Sequence, residues 1–546
     1  MYIYSKMSII KRYVSLCEDD IKYCISGLIC GCTGSYYGVY SNEHIFKVMQ
    51  GDFSKDRLKL LLYTNIITMI AMTLRGLFFA YSQKCINDRI RKKVFNKIIN
   101  QNIKFYENAN ISTLLEYITN DVRIVSDIIS LNINIISRSY IHIISTIWLL
   151  SKISLKLTIL SCILIPINFI ISHFYEEIYK KIMIGYEKTN NELNRYTLES
   201  ISHISLIKTY ATEKESYNKY IWHCNKIMNY KYKETLLYGY NLLIISNIPT
   251  LITITIIFIA KYLNNIDNMM TFILHNKSLY ENVKSLIDFK SEFVKCREPY
   301  NRIINILDSN LKYNGYYIPK KDIIGDISFN NITFKYSSAD KPILKNFNLK
   351  IKHGEKIAIT GKSGSGKSTI VKLLIGILEL DSGNIFIDDV DIINYNNIWL
   401  KKRIGYVAQD SILFSDTIAN NIAYGLDNVS ENDIIKAAKQ ANAHEFINKL
   451  PNKYQTIIEG TELSSLSGGQ RQRISIARTL IRKPQIIIFD EATSALDPEC
   501  EELVQNAIKE CYRTQNSTMI IIAHKKTAIS IADKIYNLDN SNIYIK

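Results

Sequence analysis

Apolar stretches of roughly 20 residues, the length a helix needs to cross a bilayer, recur along this chain as far as Phe289 and then stop. The four strongest run from Leu58 to Ser82, Ile133 to Leu150, Leu155 to Tyr175 and Leu236 to Ala260. Ile21 to Tyr40, rich in small residues, and Met269 to Phe289, interrupted by charges, complete a set of six. The connections test that count, because short cytoplasmic loops collect Lys and Arg. The second-to-third connection carries Lys84, Arg89, Arg91, Lys92, Lys93, Lys97, Lys104 and Arg123, and the fourth-to-fifth is equally basic, from Lys180 to Lys233. The turn between the third and fourth stretches offers only Lys152, and the turn after the fifth only Lys261. A multi-pass protein with both termini in the cytoplasm follows. The two basic segments are helical in pattern and are expected to extend the spans beyond the bilayer.

Composition makes sense only against this division. Mean hydropathy is close to zero, as an average over a spanning half and a polar half would be. Sixty-seven Lys and Arg against 51 Asp and Glu give +16 over 546 residues. That sign suits nucleic acid, an anionic membrane surface or an anionic ligand. Much of it lies in the loops just named, so no nucleic-acid partner is expected. The ten Cys are scattered without a C-x-x-C pair, and Cys30 and Cys32 lack the compact second ligand pair of a metal site. The first 20 residues carry Glu18, Asp19 and Asp20 and no long apolar core. They are expected to be neither a secretory signal nor a transit peptide.

Polar groups inside spans are costly and mark a cavity or a partner. Arg75, Arg138 and His142 are such candidates. In the sixth stretch Lys277, Glu281, Lys284 and Asp288 are spaced to share one helix face. That face reads equally as the wall of an aqueous path or as a solvated face leaving the membrane. Near Asp308 the texture changes to short β-rich runs alternating with helical ones, an α/β pattern. The expected division is a cytoplasmic segment over 1–20, a membrane domain over 21–307, a linker over 308–326 and a nucleotide-binding domain over 327–546.

The strand Lys356 to Thr360 runs into Gly361, Lys362, Ser363, Gly364, Ser365, Gly366, Lys367, Ser368 and Thr369 and then an apolar helix. Strand, glycine-rich loop and helix form the context of a P-loop. Its N–H groups curl round phosphate oxygens, Lys367 neutralises the β- and γ-phosphates, and Ser368 can hold Mg²⁺. A second apolar strand, Gln485 to Phe489, ends in Asp490 and Glu491. Asp490 is placed to hold Mg²⁺ and Glu491 to polarise the attacking water as general base; taken alone, the pair could merely cap a helix. Between the two lies Leu466-Ser467-Gly468-Gly469-Gln470, a second anion-binding helix start or a turn with a Ser cap.

LSGGQ, together with GKSGSGKST, IIIFDEATSALD and IIIAH, resembles the nucleotide-binding domain of ATP-binding cassette (ABC) proteins, over Ile327 to Asn537. The resemblance implies that Tyr336 stacks on adenine and that Gln409 senses Mg²⁺. It places Asp497 at a dimer seam and His524 on the γ-phosphate. Ser467, Gly468, Gly469 and Gln470 would close on ATP held by the opposing subunit. Six spans before one such domain look like half-transporters of the multidrug and antigen-peptide exporter group. The implied architecture is an all-α six-helix membrane domain of the type I/IV ABC exporter, then an α/β P-loop ATPase domain with a helical subdomain. The implied partners are a second half-transporter, the lipid bilayer and a transported substrate, with peptide favoured, and the cofactors are ATP and Mg²⁺. Coupling helices are expected near Ser112 to Asp121 and Ile204 to Glu215. Two departures stand out: Thr461-Glu462-Leu463 where the family often has E-x-G, and Ser112 and Tyr117 where it has Gly and Arg. The alternatives are a mitochondrial-type exporter of glutathione-linked sulfur compounds, a soluble cassette ATPase acting on nucleic acid, and a channel regulator.

Overall fold

A computed structural model of the chain describes residues 20–49, 53–109, 111–128, 133–244, 247–262, 269–309, 315–336, 339–458, 466–491, 498–514, 517–523, 525, 529–539 and 542–545. It divides into two compact units, one formed by Met1–Gln101 and Phe105–Leu311, the other by Asn102–Lys104 and Lys312–Lys546.

The first unit is helical: α1 (Ile21–Met49), α2 (Lys55–Ile99), α3 (Ile103–Asn108), α4 (Ile111–Glu116), α5 (Val122–Asp127), α6 (Ile133–Ile153), α7 (Leu155–Ser202), α8 (Ile204–Thr209), α9 (Glu213–Leu243), α10 (Ile248–Tyr262) and α11 (Met269–Asp308). Among the described residues α2 is long and apolar enough to cross a membrane by length and composition. Its outer face is an apolar sheath, with Leu62, Met69 and Leu77 all more than 60% exposed, which suits lipid and not water. The small residues of α1 explain its packing on α2. A Cβ at Gly27 would come within 2.7 Å of Phe79, and one at Gly34 within 3.2 Å of Met72, so the glycines let two backbones approach closely.

The fifth stretch, read as continuous over Leu236 to Ala260, is described as two helices, α9 and α10. Pro249 sits in the first turn of α10, where a missing N–H is tolerated. Asn247 ends α9 by donating from Nδ2 to the carbonyls of Leu242 and Leu243 at 3.0 and 3.1 Å. Helices α2, α7 and α9 run on past their apolar stretches into the basic segments, as expected.

In that extended region Ile86, Ile90 and Val94 of α2 pack with Val122 and Val125 of α5 and Ile303 of α11. A π-helical turn, Tyr117–Asp121, joins α4 to α5. Its Asp121 is fully buried and accepts two bonds from Arg302 of α11, from Nε at 2.7 Å and Nη2 at 2.9 Å. The Tyr117 ring lies 5.8 Å from the same guanidinium. Burial, joined by repulsion from Asp121, pushes the Glu116 carboxyl above its ordinary range. Burial also raises Glu187 of α7. Removing one partner of a buried pair leaves the other charge uncompensated. Asp121→Asn is therefore expected to cost about 2 kcal/mol, less than the roughly 3 to 5 kcal/mol of a fully buried pair, because Arg302 keeps some solvent contact. Thermal melting of the detergent-solubilised protein checks this, and an unchanged midpoint contradicts it.

The second unit holds two sheets. β1 (Ile327–Phe334), β2 (Leu344–Ile351), β4 (Ser382–Ile387) and β5 (Val390–Asp391) form an antiparallel sheet in the order β2-β1-β4-β5. The other has the order β10-β9-β3-β8-β7-β6, with β3 (Lys356–Thr360), β6 (Ile404–Val407), β7 (Ile486–Asp490), β8 (Thr518–Ile522), β9 (Lys534–Asn537) and β10 (Asn542–Ile545). All its pairings are parallel except β9 with β10. Strand side chains alternate between faces. Ile487, Phe489, Met519 and Ile521 enter one core, while Ile486, Ile488, Ile520 and Ile522 enter the other. Both faces are covered, which is why these strands read as unbroken apolar runs. α12 (Lys367–Leu374) packs on one side. α13 (Asn397–Lys401), α14 (Ile418–Ile422), α15 (Glu431–Gln440), α16 (His444–Lys449), α17 (Gly468–Leu480) and α18 (Pro498–Thr514) complete the unit. The stretch expected to be a linker is in part structured: Tyr317 pairs with Asn394 and Asn396, and the Asp388 carboxylate accepts the N–H groups of Ile324, Gly325 and Asp326.

Candidate nucleotide site

The parallel sheet places the ends of β3 and β7 on either side of β8, at the carboxyl edge where such sheets bind ligands. At the end of β3 the chain turns through Gly361, Gly364 and Gly366. Gly364 and Gly366 have φ of +79° and +99°, a left-handed backbone that costs residues with a Cβ. At Gly366 a Cβ would also approach Ile343 to 2.7 Å. Asp539 holds the loop from outside, accepting the Lys362 N–H at 3.1 Å. Lys367, almost fully buried, donates from Nζ to the carbonyls of Gly361 and Lys362 at 3.0 and 2.8 Å. Its ammonium is thus centred over the loop.

Ser368 opens α12 and donates from Oγ to Asp490 Oδ1 at 3.0 Å. Tyr406 of β6 donates to Asp490 Oδ2 at 3.1 Å. Burial raises the Asp490 carboxyl above its ordinary value, against the bonds from Ser368 and Tyr406 that favour its charge, and Glu491 raises it further. Ser368 and Asp490 together offer hard oxygen donors that fit Mg²⁺. The Ser365 hydroxyl, buried in the loop without a hydrogen-bond partner among the described residues, fits a phosphate oxygen beside it. Glu491 follows with φ of +49° and donates its N–H to Ile522 O at 3.0 Å. A non-glycine residue held there stores backbone strain of the kind found at functional sites.

Tyr336 lies beside the loop, its hydroxyl 3.3 Å from Thr369 Oγ1, and packs edge-on against Phe334. Lys362, Ser363 and Gly364 are exposed, as is Gln409. Ser467 and Gln470 form a reciprocal capping box at the start of α17: Ser467 Oγ accepts the Gln470 N–H at 3.3 Å and Gln470 Oε1 accepts the Ser467 N–H at 2.9 Å. Gln470 therefore uses its side chain on the helix end, while Ser467 and Gly468 are exposed and Gly469 is buried. Asp497, His524 and the segment Thr461-Glu462-Leu463 lie outside the described residues. Two residues that sequence reasoning does not single out reach the site from distant parts of the chain: Tyr406 of β6 bonds Asp490, and Asp539, in the turn just after β9, bonds the loop.

Comparison with known proteins agrees with this arrangement. Residues 21–274 match the family described as ABC transporter transmembrane region, and residues 344–494 match ABC transporter. ABC transporter B family member 26, chloroplastic, of Arabidopsis thaliana is 30% identical over 91% of this chain and 73% of its own length. The chain belongs to the ABC transporter family. It is a membrane protein that joins an exporter-type helical domain to an ATP-hydrolysing domain. Human ABC-type oligopeptide transporter ABCB9 is 28% identical over 87% of this chain, which spans 62% of that relative's length. A solved structure of a bacterial Atm1-family ABC exporter with ATP bound has the same fold, with a TM-score of 0.82 at 22% identity, covering 96% of this chain and 93% of its own.

Proposed function

We propose that this ABC exporter is a half-transporter that pairs with a second half, binds two ATP with Mg²⁺ between the nucleotide domains, and exports peptide from the cytoplasm by alternating access. The observation that carries the paired site is the start of α17. Ser467 and Gly468 are exposed there; the Ser467 N–H is held by Gln470 Oε1, which leaves the Gly468 N–H and the Ser467 hydroxyl proton to be offered at a helix N-terminus to an anion supplied from outside. In this reading the P-loop of one chain holds ATP and the α17 terminus of its partner covers the γ-phosphate. Lys367 cradles the β- and γ-phosphates. Ser368 and Asp490 would hold Mg²⁺ and Gln409 would sense it, and the ion when bound would supply neutralisation of the phosphate charge. Glu491 orients and deprotonates the attacking water, His524 contacts the γ-phosphate, Tyr336 stacks on adenine and Asp497 lies at the seam.

The six apolar stretches, with Lys and Arg on alternate connections, support a six-span domain with both termini in the cytoplasm. Likeness to an oligopeptide transporter and the mixed-charge face of α11, where Lys277, Glu281, Lys284 and Asp288 are all exposed, support a polar cargo. ATPase assays of the reconstituted protein test the cargo. A peptide library is expected to stimulate turnover severalfold while glutathione derivatives and neutral lipids do not. Stimulation by glutathione compounds alone would transfer the assignment to the sulfur-compound exporters.

A further inference from the structure

Two guanidinium groups and an imidazole lie together inside the membrane unit. Arg75 projects from α2, and Arg138 and His142 project one turn apart from α6; α1 packs against both helices. The positive charges of Arg138 and Arg75 both act on His142, and Arg138 acts on Arg75. No carboxylate among the described residues acts on either group. The stem of Arg75 lies over Gly31, where a Cβ would come within 3.2 Å of Cδ. Its Nε and Nη1 atoms are buried and have no hydrogen-bond partner among the described residues.

A guanidinium placed this way is expensive. Like charges gathered at membrane depth repel, and buried donors without acceptors forfeit their hydration. A fold that merely needed bulk at residue 75 would be served better by Leu or Met. The cost is offset if an anion enters between α2 and α6, accepting bonds from both guanidinium groups as a carboxylate or phosphate does. We propose that Arg75, Arg138 and His142 form a cationic subsite in the translocation path that takes an oxyanion of the transported substrate. Resting on the peptide reading above, the oxyanion is the C-terminal carboxylate of the peptide, which every peptide carries whatever its sequence.

The test compares one peptide library bearing free C-terminal acids with the same library bearing C-terminal amides, as stimulators of the reconstituted ATPase. Loss of a charge-assisted pair is worth about tenfold or more, so the amides are expected to need at least about tenfold higher concentration. That gap is expected to vanish in Arg75→Gln and in Arg138→Gln, and to survive in part in Arg75→Lys, which keeps the charge; gel filtration confirms that each variant elutes as the parent does. Acids and amides acting alike on the parent protein, or a gap of the same size in all variants, overturns the subsite. If no peptide stimulates, the peptide reading fails by itself, and the arginine variants are compared using glutathione disulfide and phosphatidylglycerol nanodiscs. Stimulation by either that falls at least about tenfold in both Gln variants retains the oxyanion subsite; stimulation insensitive to them, or none, overturns it.

Discussion

Replacing Glu491 by Gln is expected to leave ATP bound and to stop its turnover. The substitution keeps the volume and the backbone, including the N–H that donates to Ile522 O, and removes only the charge that can take a proton from water. General-base catalysis contributes roughly a hundredfold or more, so steady-state phosphate release should fall by at least about that factor. Nucleotide retained on the variant should rise because the closed state no longer decays. Asp490, next in the chain and raised by burial, cannot substitute, since its oxygens are committed to Ser368 and Tyr406. Hydrolysis at the parent rate would remove Glu491 from the role of general base.

The second large effect falls on binding. Lys367→Met keeps an unbranched stem of similar length but deletes the ammonium centred over the loop by its bonds to Gly361 and Lys362. Charge-assisted bonds are worth about 1.5 to 3 kcal/mol each, so ATP affinity is expected to drop by about 100-fold. Equilibrium binding of a fluorescent ATP analogue reads this directly. An affinity within about twofold of the parent would mean that the loop N–H groups alone hold the phosphates.

Both effects fall on residues that local sequence exposes. A strand, a glycine-rich loop and a helix follow one another without a break, so the phosphate cradle is legible in the order of the residues alone. The acidic pair after a fully apolar strand is legible for the same reason. Tyr406 and Asp539 are not, because they meet the site only through the pairing of β6 with β7 and of β9 with β3. The Asp121–Arg302 pair is likewise invisible in sequence: its partners are 181 residues apart, and the residues around Asp121 suggest no more than a coupling loop. Gln470 shows a different limit. Its spacing from Ser467 is that of a capping box, and the side chain serves the helix end although the motif around it suggests nucleotide. In the membrane unit apolar length locates the helices, yet the division at Asn247 depends on one amide side chain and the proline that follows shortly after.

If one chain makes only half of each ATP site, two differently damaged chains should repair each other. Lys367→Met disables the P-loop, and Gly468→Asp places a carboxylate where the partner's γ-phosphate must approach, at a helix N-terminus that tolerates acidic residues. Each variant alone has two defective sites. In a dimer of one chain of each kind both defects fall in the same site, and the other site combines an intact P-loop with an intact α17. The decisive measurement is ATPase activity of mixed dimers isolated with two different affinity tags. Turnover restored well above that of either variant alone is the predicted result; mixed dimers as inactive as the two variants, or a Gly468→Asp chain as active as the parent, would contradict it.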